Sequence, residues 1–347
     1  MLKLKYKQLI IKFNSMVKKE NKTIKMITTN EEEIFEKLVK ADDSFRKICD
    51  LVNFYDIVSP YYNLYSDTGA KGIDIVKGFK CLLVQFWEDY SDRQMEKALC
   101  NNIAVKWFCG FGLLEETPDH SYFGKLRKRL GTKNIADIFN KVTDVLRDKG
   151  YFGDVFKFID ASSVITKTAL WAERDKAIKD GEEKLNNLVV SKYAADKQAK
   201  WGAKSKNKIW FGYKLHSSVD MRFGLIDKIA ITPANVLDPQ ALKNICPKNQ
   251  MIFMDKLYDT KKANQILKAN NCASGIIRKN NNKTKDRNLD KWRSKTRMPF
   301  ECTFSKIRKR AKFRGQAKAA MQYFLEALCH NLRKGITVKP LPIQNGA

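Results

Sequence analysis

The chain has 347 residues, and its 66 lysines and arginines outnumber its 38 aspartates and glutamates to give a formal net charge of +28. This length can bury the cores of two domains, and this charge is larger than solubility requires. The composition therefore argues against a disordered chain and indicates a polyanionic partner, which could be nucleic acid, an anionic membrane or an acidic protein.

The sequence lacks the signals of a membrane-spanning or secreted protein. It contains no apolar run of about 18 residues, so we expect no membrane span. The basic N-terminus has an apolar stretch interrupted by Lys12 and no small-residue cleavage site, which argues against a secretory signal. The 8 cysteines show no metal-ligand spacing, so we expect reduced thiols in a cytoplasmic protein, with neither zinc nor disulfides.

Residues 1–27 form a basic extension with a second methionine at Met26. This extension is either a flexible arm that binds phosphates or the product of an upstream start codon. From 28 to 150 the apolar residues recur at intervals of three and four, which predicts a helical domain. Ser91 followed by Gln94 has the form of a capping box, and Thr117-Pro118 marks a further helix start.

The period changes after residue 150, which predicts an α/β domain over 151–335. The Lys-rich stretch of about 166–207 is expected to be a mobile loop or an insertion, and the stretch 279–299 is too polar to be core. Both are candidate DNA-contacting segments, and about 300–334 is expected to be helical. Residues 336–347 form a tail, and the absence of a Gly-rich phosphate loop disfavours nucleotide hydrolysis. The predicted strands are VFKFIDAS (155–162), KIWFGYKLHSSVD (208–220), GLIDKIAIT (224–232) and QMIFMD (250–255), and LDPQALKNIC and TKKANQILKANN are predicted helices.

Three acidic residues are candidate ligands for hard cations. Asp160 and Asp255 each end a predicted buried strand, where a rigid backbone would hold a carboxylate at a cleft. Glu301 follows Pro299 at the expected start of a helix, inside an otherwise basic run. Each has a simpler interpretation: the aspartates could cap turns, and a glutamate at a helix N-terminus is favoured by the helix dipole.

The order of the motifs resembles the DDE transposases of the IS5 group, within the IS4 superfamily of bacterial insertion sequences. The resemblance runs from about residue 28 to 335. It is carried by SDRQMEKALCNNIAVKWFCGF and TPDHSYFGKLRKRL, then by FIDAS, GYKLHSSVD, FMDKLYD, FECTFSKIRKRAKFRG and ALCHNLRK.

This resemblance implies an RNase H-like catalytic core, a mixed sheet flanked by helices, after an all-α N-terminal domain. It places Asp160 on the first strand, Asp255 after the fourth strand and Glu301 on a later helix. The implied cofactor is Mg²⁺, with Mn²⁺ as a substitute and two ions as the expected number. The implied partners are the terminal inverted repeats and target DNA, bound by a homodimer, and the implied location is the bacterial cytoplasm, at the nucleoid when DNA is bound.

The family signature Tyr-x2-Arg-x3-Glu-x6-Lys is only partly kept. Arg297 and Glu301 match it, whereas Ser294 stands at the tyrosine and Arg308 at the lysine. Leu257 occupies a place where the family usually has glycine. These departures bear on catalytic competence and not on the fold.

The resemblance also suggests DNA contacts, most directly at Arg297, Lys306 and Arg308 beside the proposed metal site. Lys214, His216 and Tyr258 are further candidates, although His216 and Tyr258 are equally suited to packing. In the helical domain, the stretch 119–130 could be the helix that reads the terminal repeats. Its candidate contacts are Lys125, Arg127 and Arg129.

Three other functions stay open on the sequence alone. A catalytically decayed or recruited DNA-binding protein would share every motif above, and a nuclease that cuts without joining would share the catalytic half. A basic protein associated with RNA or ribosomes would not need carboxylates at two strand ends, and it is the least favoured of the three.

Overall fold

The computed structural model describes residues 24–66, 72–166, 194–205 and 208–340. The chain divides into two compact units, residues 1–145 and 146–347. The sequence predicts this boundary at 150. Most of the basic extension 1–27 and most of the tail 336–347 lie outside the described residues.

Unit 1 is helical in the part that the structure describes. Its core is aromatic: the Phe45 and Phe108 rings stack with centroids 4.7 Å apart, and Phe79 is fully buried. The expected capping box is confirmed, with Ser91 and Gln94 each binding the other's backbone. The helices are α1 (Ile24–Leu38), α2 (Ser44–Leu51), α3 (Phe54–Val58), a 3-10 turn (Ser59–Leu64), α4 (Ile75–Trp87), α5 (Asp92–Asn101), α6 (Ile103–Cys109) and α7 (His120–Asp148).

Unit 2 contains a six-stranded mixed sheet. The strands are β1 (Phe156–Ile165), β2 (Lys200–Ser205), β3 (Lys208–Asp220), β4 (Ile226–Pro233), β5 (Met251–Met254) and β6 (Ala273–Ile276). Their order is β2-β3-β1-β5-β6, and β4 pairs with the second half of β3. β3 runs antiparallel to β1, β2 and β4, whereas β5 and β6 run parallel to β1.

Helices cover both faces of the sheet. On one face, α8 (Asp238–Ile245) and α9 (Lys261–Ala269) pack on an apolar cluster that includes Ile159 and Met254. On the other lies α10 (Arg287–Ser305), whose Trp292 ring is 5.7 Å from that of Phe253. The long helix α11 (Gln316–Gly335) is tied to β4 because the buried Asn331 amide binds the backbone N–H and C=O of Ile226, each at 2.7 Å.

Two sequence predictions for unit 2 are wrong in part. Residues 200–205, which the sequence places in a Lys-rich loop, form β2, because Trp201 and Ala203 pair with Phe211 and Ile209 at the edge of β3. The remainder of that stretch, 167–193 and 206–207, lies outside the described residues.

The stretch 279–299, which the sequence describes as too polar to be core, lies mostly at the surface, and most of it is helical. Asp286 caps α10, which continues through Pro299 to Ser305. The second correction concerns the helical region expected over about 300–334, which a loop over 306–315 interrupts. Within the described part of the chain, none of the helices combines the length and apolarity that crossing a bilayer demands.

Candidate active site

The parallel pairing of β1 with β5 brings Asp160 and Asp255 side by side at the point where β5 ends. The prediction that Asp160 ends its strand is wrong, because β1 continues to Ile165 through its pairing with β3. Phe158 lies opposite Phe253 in the register, and each aspartate follows its phenylalanine by two residues. Because side chains alternate between faces, the two carboxylates share the face on which α10 lies. The register alone therefore makes them neighbours, although 95 residues separate them in the chain (255 − 160 = 95).

The pKa shifts of Asp160 and Asp255 indicate that the two carboxyl groups share one environment. Burial, and after it the charge of Asp255, raise the pKa of Asp160 to about 6. Burial is also the main cause that raises the pKa of Asp255. Lys204 and Arg297 lower both values. Two carboxylates held out of water repel one another, so a cation between them would be stabilising.

Local backbone groups fix the orientation of both aspartates. Asp160 Oδ1 accepts a 2.8 Å hydrogen bond from the Ala161 N–H, and Asp255 Oδ1 accepts one of 2.8 Å from the Leu257 N–H. For Asp255 this bond caps a 3-10 turn over Lys256–Tyr258. The turn-capping interpretation is thus correct for Asp255, and it orients the carboxylate that the sequence nominates as a ligand.

Glu301 lies on α10, but not at its start. The helix begins 14 residues earlier at Arg287 (301 − 287 = 14), so Glu301 is near the C-terminal end, where the helix dipole disfavours an acid. The simple explanation of Glu301 as an N-terminal acid is therefore wrong. Its observed partner is Arg297, whose Nη2 lies 2.8 Å from Oε1, and the glutamate side chain is 47% exposed.

The donor set suits a hard cation only in part. Carboxylate oxygens are the ligands that Mg²⁺ takes in proteins. Asp160 and Asp255 already share one environment, whereas Glu301 is bound to Arg297. Among the residues that the structure describes, no three His, Cys, Asp or Glu side chains are grouped so as to hold a metal ion. Glu301 would have to leave Arg297 to complete the set.

Arg297 connects the aspartates with Glu301. Its guanidinium carbon lies 5.7 Å from the centre of the Phe158 ring, and only 16% of the side chain is exposed. Its Nε and Nη1 are buried and have no hydrogen-bond acceptor among the described residues. A buried donor without an acceptor is unfavourable, so this guanidinium is suited to an anionic ligand.

Sequence reasoning missed Lys204, the second cation near the aspartates. Its Nζ donates to the Ala161 carbonyl at 3.3 Å, beside Asp160. The sequence places this residue in the expected Lys-rich loop, in which one lysine cannot be told from the others. Only the pairing of β2 with β3 brings it to the site.

The other candidates in unit 2 occupy three kinds of position. Lys306 is exposed, and Arg308 is half-buried, with Nη1 3.9 Å from Glu326 Oε1. Lys214 is bound to Asp238 at 2.8 Å.

His216 and Tyr258 are both fully buried. His216 Nε2 lies 2.8 Å from Thr232 Oγ1, and burial lowers the pKa of His216 to about 4. In this conformation neither ring is open to DNA.

The three unit 1 candidates are also in different environments. Lys125 is exposed. Arg127 holds the Asp92 carboxylate with both terminal nitrogens, at 2.8 and 2.6 Å, and only 11% of its side chain is exposed. The guanidinium carbon of Arg129 lies 4.3 Å from the centre of the Tyr65 ring. The structure therefore leaves Lys125 and Arg129 exposed and Arg127 half-buried.

Comparisons with known proteins identify the relatives of both units. Residues 159–332 match the family model described as Transposase DDE domain, and residues 33–129 match the one described as Transposase domain (DUF772). A relative in Neisseria meningitidis serogroup B is the transposase for insertion sequence element IS1106. It is 28% identical over 227 residues, which cover 61% of this chain and 77% of the relative.

Two solved structures show weaker likeness. One is a piggyBac transposase synaptic complex with hairpin DNA, at a TM-score of 0.38 and 10% identity, covering 88% of this chain and 75% of that one. The other is a Mos1 transposase paired-end complex with the left transposon end. It has a TM-score of 0.18 and 5% identity, and the match covers 70% of this chain and 82% of that one. At these TM-scores and identities, residues of the two structures are not matched to residues of this chain.

Proposed function

The chain belongs to the Transposase DDE domain family, and from that membership we propose that it cuts DNA at the ends of an insertion sequence and joins the 3′-hydroxyl ends to target DNA. The observation that carries this proposal is the register of β1 against β5, which makes Asp160 and Asp255 neighbours where β5 ends. The IS5 group remains the more specific assignment that the motifs suggest.

The strand order supports an RNase H-like core. Without the short edge strand β2, the order is β4-β3-β1-β5-β6, with the first three strands antiparallel and the last two parallel to β1. Asp160 then lies on the first strand of the core and Asp255 after the fourth. This is the arrangement that the motif resemblance implies.

We propose that Asp160, Asp255 and Glu301 hold two Mg²⁺ ions, for which Mn²⁺ can substitute. When bound, these ions supply a Lewis acid for the phosphodiester and lower the pKa of a water or of a DNA 3′-hydroxyl. The protein's own contribution is to keep two carboxylates adjacent and partly desolvated. This arrangement favours the binding of a divalent cation by the two carboxylates. Glu301 would complete the set when it is released from Arg297.

Arg297 would then bind the phosphate. Its Nε and Nη1 are the donors that lack an acceptor among the described residues, and a guanidinium can bind two phosphate oxygens at once. Binding of a DNA phosphate by Arg297 would therefore free Glu301 to serve as the third ligand. Neutralising the phosphate in this way stabilises charge that develops in the transition state.

The net charge of +28 supports double-stranded DNA as the partner. We propose that the helical unit binds the terminal inverted repeats, with the exposed Lys125 as a candidate contact. Joining two element ends requires two active sites, so we also propose a homodimer in the DNA complex.

One observation favours a second candidate function. The three acids are not assembled among the described residues, because Glu301 is bound to Arg297, and Ser294 and Arg308 depart from the family signature. A DNA-binding protein that has lost catalysis would look the same. The two proposals differ in one measurable property, which is metal-dependent cleavage.

The test is cleavage and strand transfer on a labelled duplex that carries the terminal repeats flanking the gene, with Mg²⁺ or Mn²⁺. We expect Asp160→Asn, Asp255→Asn and Glu301→Gln each to abolish both steps while DNA binding persists. Glu33→Gln, an exposed acid on α1, is the matched control and should be fully active. Binding without cleavage by the wild type would favour the second candidate, and cleavage without joining would indicate a nuclease.

A further inference from the structure

The segment between α10 and α11, residues 306–315, concentrates positive charge in a short stretch. We call it the basic loop. Its sequence, KIRKRAKFRG, contains no acidic residue. A run of cations is often no more than a solvated surface. The contacts of the loop backbone therefore indicate whether the loop is held in place to bind a ligand. Its exposed cations are Lys306, Lys309, Arg310, Lys312 and Arg314.

Buried polar side chains of α11 form hydrogen bonds with the backbone in the middle of the basic loop. Gln322 accepts a 2.6 Å hydrogen bond from the Lys312 N–H and donates one of 3.1 Å to the Arg310 carbonyl. The Tyr323 hydroxyl donates to the Arg308 carbonyl at 2.8 Å. Gln322 and Tyr323 are fully buried. Polar groups are rarely buried at this depth without partners, and here the loop backbone supplies them.

Two carboxylates fix the ends of the same loop. Glu326 Oε2 accepts a 3.1 Å hydrogen bond from the Arg308 N–H, and Asp196 Oδ2 accepts one of 2.8 Å from the Gly315 N–H. Both carboxylates are buried. The loop backbone is therefore held along its length while its cations face solvent.

The loop is also attached to the strand that carries Asp160. The Ile165 N–H donates to the Lys309 carbonyl at 2.7 Å, and the Ala311 N–H donates to the Ile165 carbonyl at 2.8 Å. Ile165 is five residues beyond Asp160 on β1 (165 − 160 = 5). At about 3.3 Å per residue, the loop lies about 17 Å from the aspartate along the strand.

We propose that Lys309, Arg310 and Arg314 of the basic loop clamp the phosphate backbone of the duplex whose scissile bond lies at Asp160 and Asp255. This inference rests on the proposed function and adds a binding surface to it. A distance of about 17 Å corresponds to about five base pairs of duplex. The clamp would therefore grip the element end about half a helical turn from the cut, and a rigid loop keeps these contacts without first having to be ordered.

The test uses the full-length triple variant Lys309→Gln/Arg310→Gln/Arg314→Gln and the labelled terminal-repeat duplex, in EDTA so that nothing is cut. Each phosphate contact contributes about 0.9 to the slope of log affinity against log salt, so we expect the slope to fall by about 2.7. Hydroxyl-radical protection about five base pairs from the cleavage site should disappear. A matched control, Lys261→Gln/Lys262→Gln/Lys268→Gln on α9, removes three exposed cations from the opposite face of the sheet and should change neither readout.

An unchanged slope and footprint in the triple variant, with circular dichroism matching the wild type, would overturn the clamp. So would normal binding of the terminal repeat combined with a loss of strand transfer, since the loop would then serve target DNA. The proposed function is judged separately. If the wild type never cuts but its slope and footprint depend on the loop, catalysis fails and the clamp stands. If the wild type cuts while the triple variant binds normally, the clamp alone fails.

Discussion

Arg297 donates a hydrogen bond of 2.8 Å from Nη2 to Oε1 of Glu301, one turn further along α10. The same guanidinium lowers the pKa of Asp160 and of Asp255, so one cation interacts with all three proposed ligands. As long as Glu301 is paired with Arg297, its carboxylate oxygen Oε1 is not available to a metal ion. The arginine and a divalent cation therefore compete for the same acid.

Replacing Arg297 separates two effects that have opposite signs. In Arg297→Gln we expect cleavage to fall by about 100-fold to 1000-fold, the typical loss when one donor to a developing charge is removed. Mn²⁺ should bind more tightly to the same variant, because Glu301 is released and a nearby positive charge is gone. Single-turnover cleavage at saturating Mg²⁺ and calorimetric titration with Mn²⁺ give the two readouts. Wild-type cleavage in Arg297→Gln would remove the arginine from the site.

The raised pKa of Asp160 gives a pH-dependent stability in the metal-free protein. A carboxyl whose folded pKa lies above its unfolded value stabilises the fold when protonated, and this contribution is lost as pH rises from about 4 through about 6. Asp160→Asn removes the buried charge. We expect it to raise the free energy of unfolding by about 3 kcal/mol at pH 7.5, and by about half of that at pH 5. Urea unfolding in EDTA measures both, and the same gain at the two pH values would contradict the shift.

Four of the six strands of unit 2 are predictable because each of these four is an apolar run bounded by polar residues. The predicted strand 208–220 coincides with β3, and 250–255 contains β5. Two strands escape prediction. β6 has the sequence ASGI, too short and too weakly apolar for a period-2 signal, and β2 has the sequence KWGAKS, in which pairing with β3 outweighs a polar composition.

The sequence nominates the acidic residues of the candidate site, but it does not predict how they are arranged. Local sequence reveals that Asp255 follows an apolar strand, but it places Asp160 at a strand end, whereas β1 continues to Ile165. Local sequence carries no strand register, and the register is what makes them neighbours. The predicted start of α10 is wrong because Pro299 resembles a first-turn proline, whereas the helix is capped 13 residues earlier by Asp286 (299 − 286 = 13).

The basic loop should depend on Gln322 for its conformation. In Gln322→Leu, the Lys312 N–H and the Arg310 carbonyl lose their partner. We expect a loss of about 1–3 kcal/mol in the free energy of unfolding, and faster hydrogen exchange in the basic loop. Hydrogen-exchange mass spectrometry tests this directly. Unchanged exchange in the loop would show that its other anchors suffice.

A buried ion cluster at the opposite end of β1 should dominate the stability of unit 2. Lys157 is fully buried, with Nζ 3.0 Å from both Asp154 Oδ1 and Asp220 Oδ2, and Asp220 is itself fully buried. Removing one partner of such a cluster leaves an uncompensated charge, so Lys157→Met should cost about 3–5 kcal/mol. Urea unfolding measures the loss, with Lys268→Met on the exposed side of α9 as the control. A loss below about 1 kcal/mol would mean that water or another cation reaches Asp220.

The two cations Lys125 and Arg127 lie two residues apart on α7, and the sequence nominates both as DNA contacts. Arg127 is bound to Asp92 and also donates to Gln85 Oε1 at 3.0 Å, so its replacement should act on stability. We expect Arg127→Gln to lower the free energy of unfolding by about 1–3 kcal/mol. The affinity of its folded fraction for the terminal-repeat duplex should change little.

Lys125→Gln should behave in the opposite way, because its side chain is exposed and a single phosphate contact contributes about 0.9 to the salt slope of binding. Thermal unfolding and DNA titrations over a range of salt concentrations, applied to both variants, separate the two roles. If Arg127→Gln reduced the salt slope while remaining as stable as the wild type, the Asp92 pair would have to open on DNA. If Lys125→Gln left the slope unchanged, this face of α7 would not contact the phosphate backbone, and the helical unit would bind the repeats through another surface.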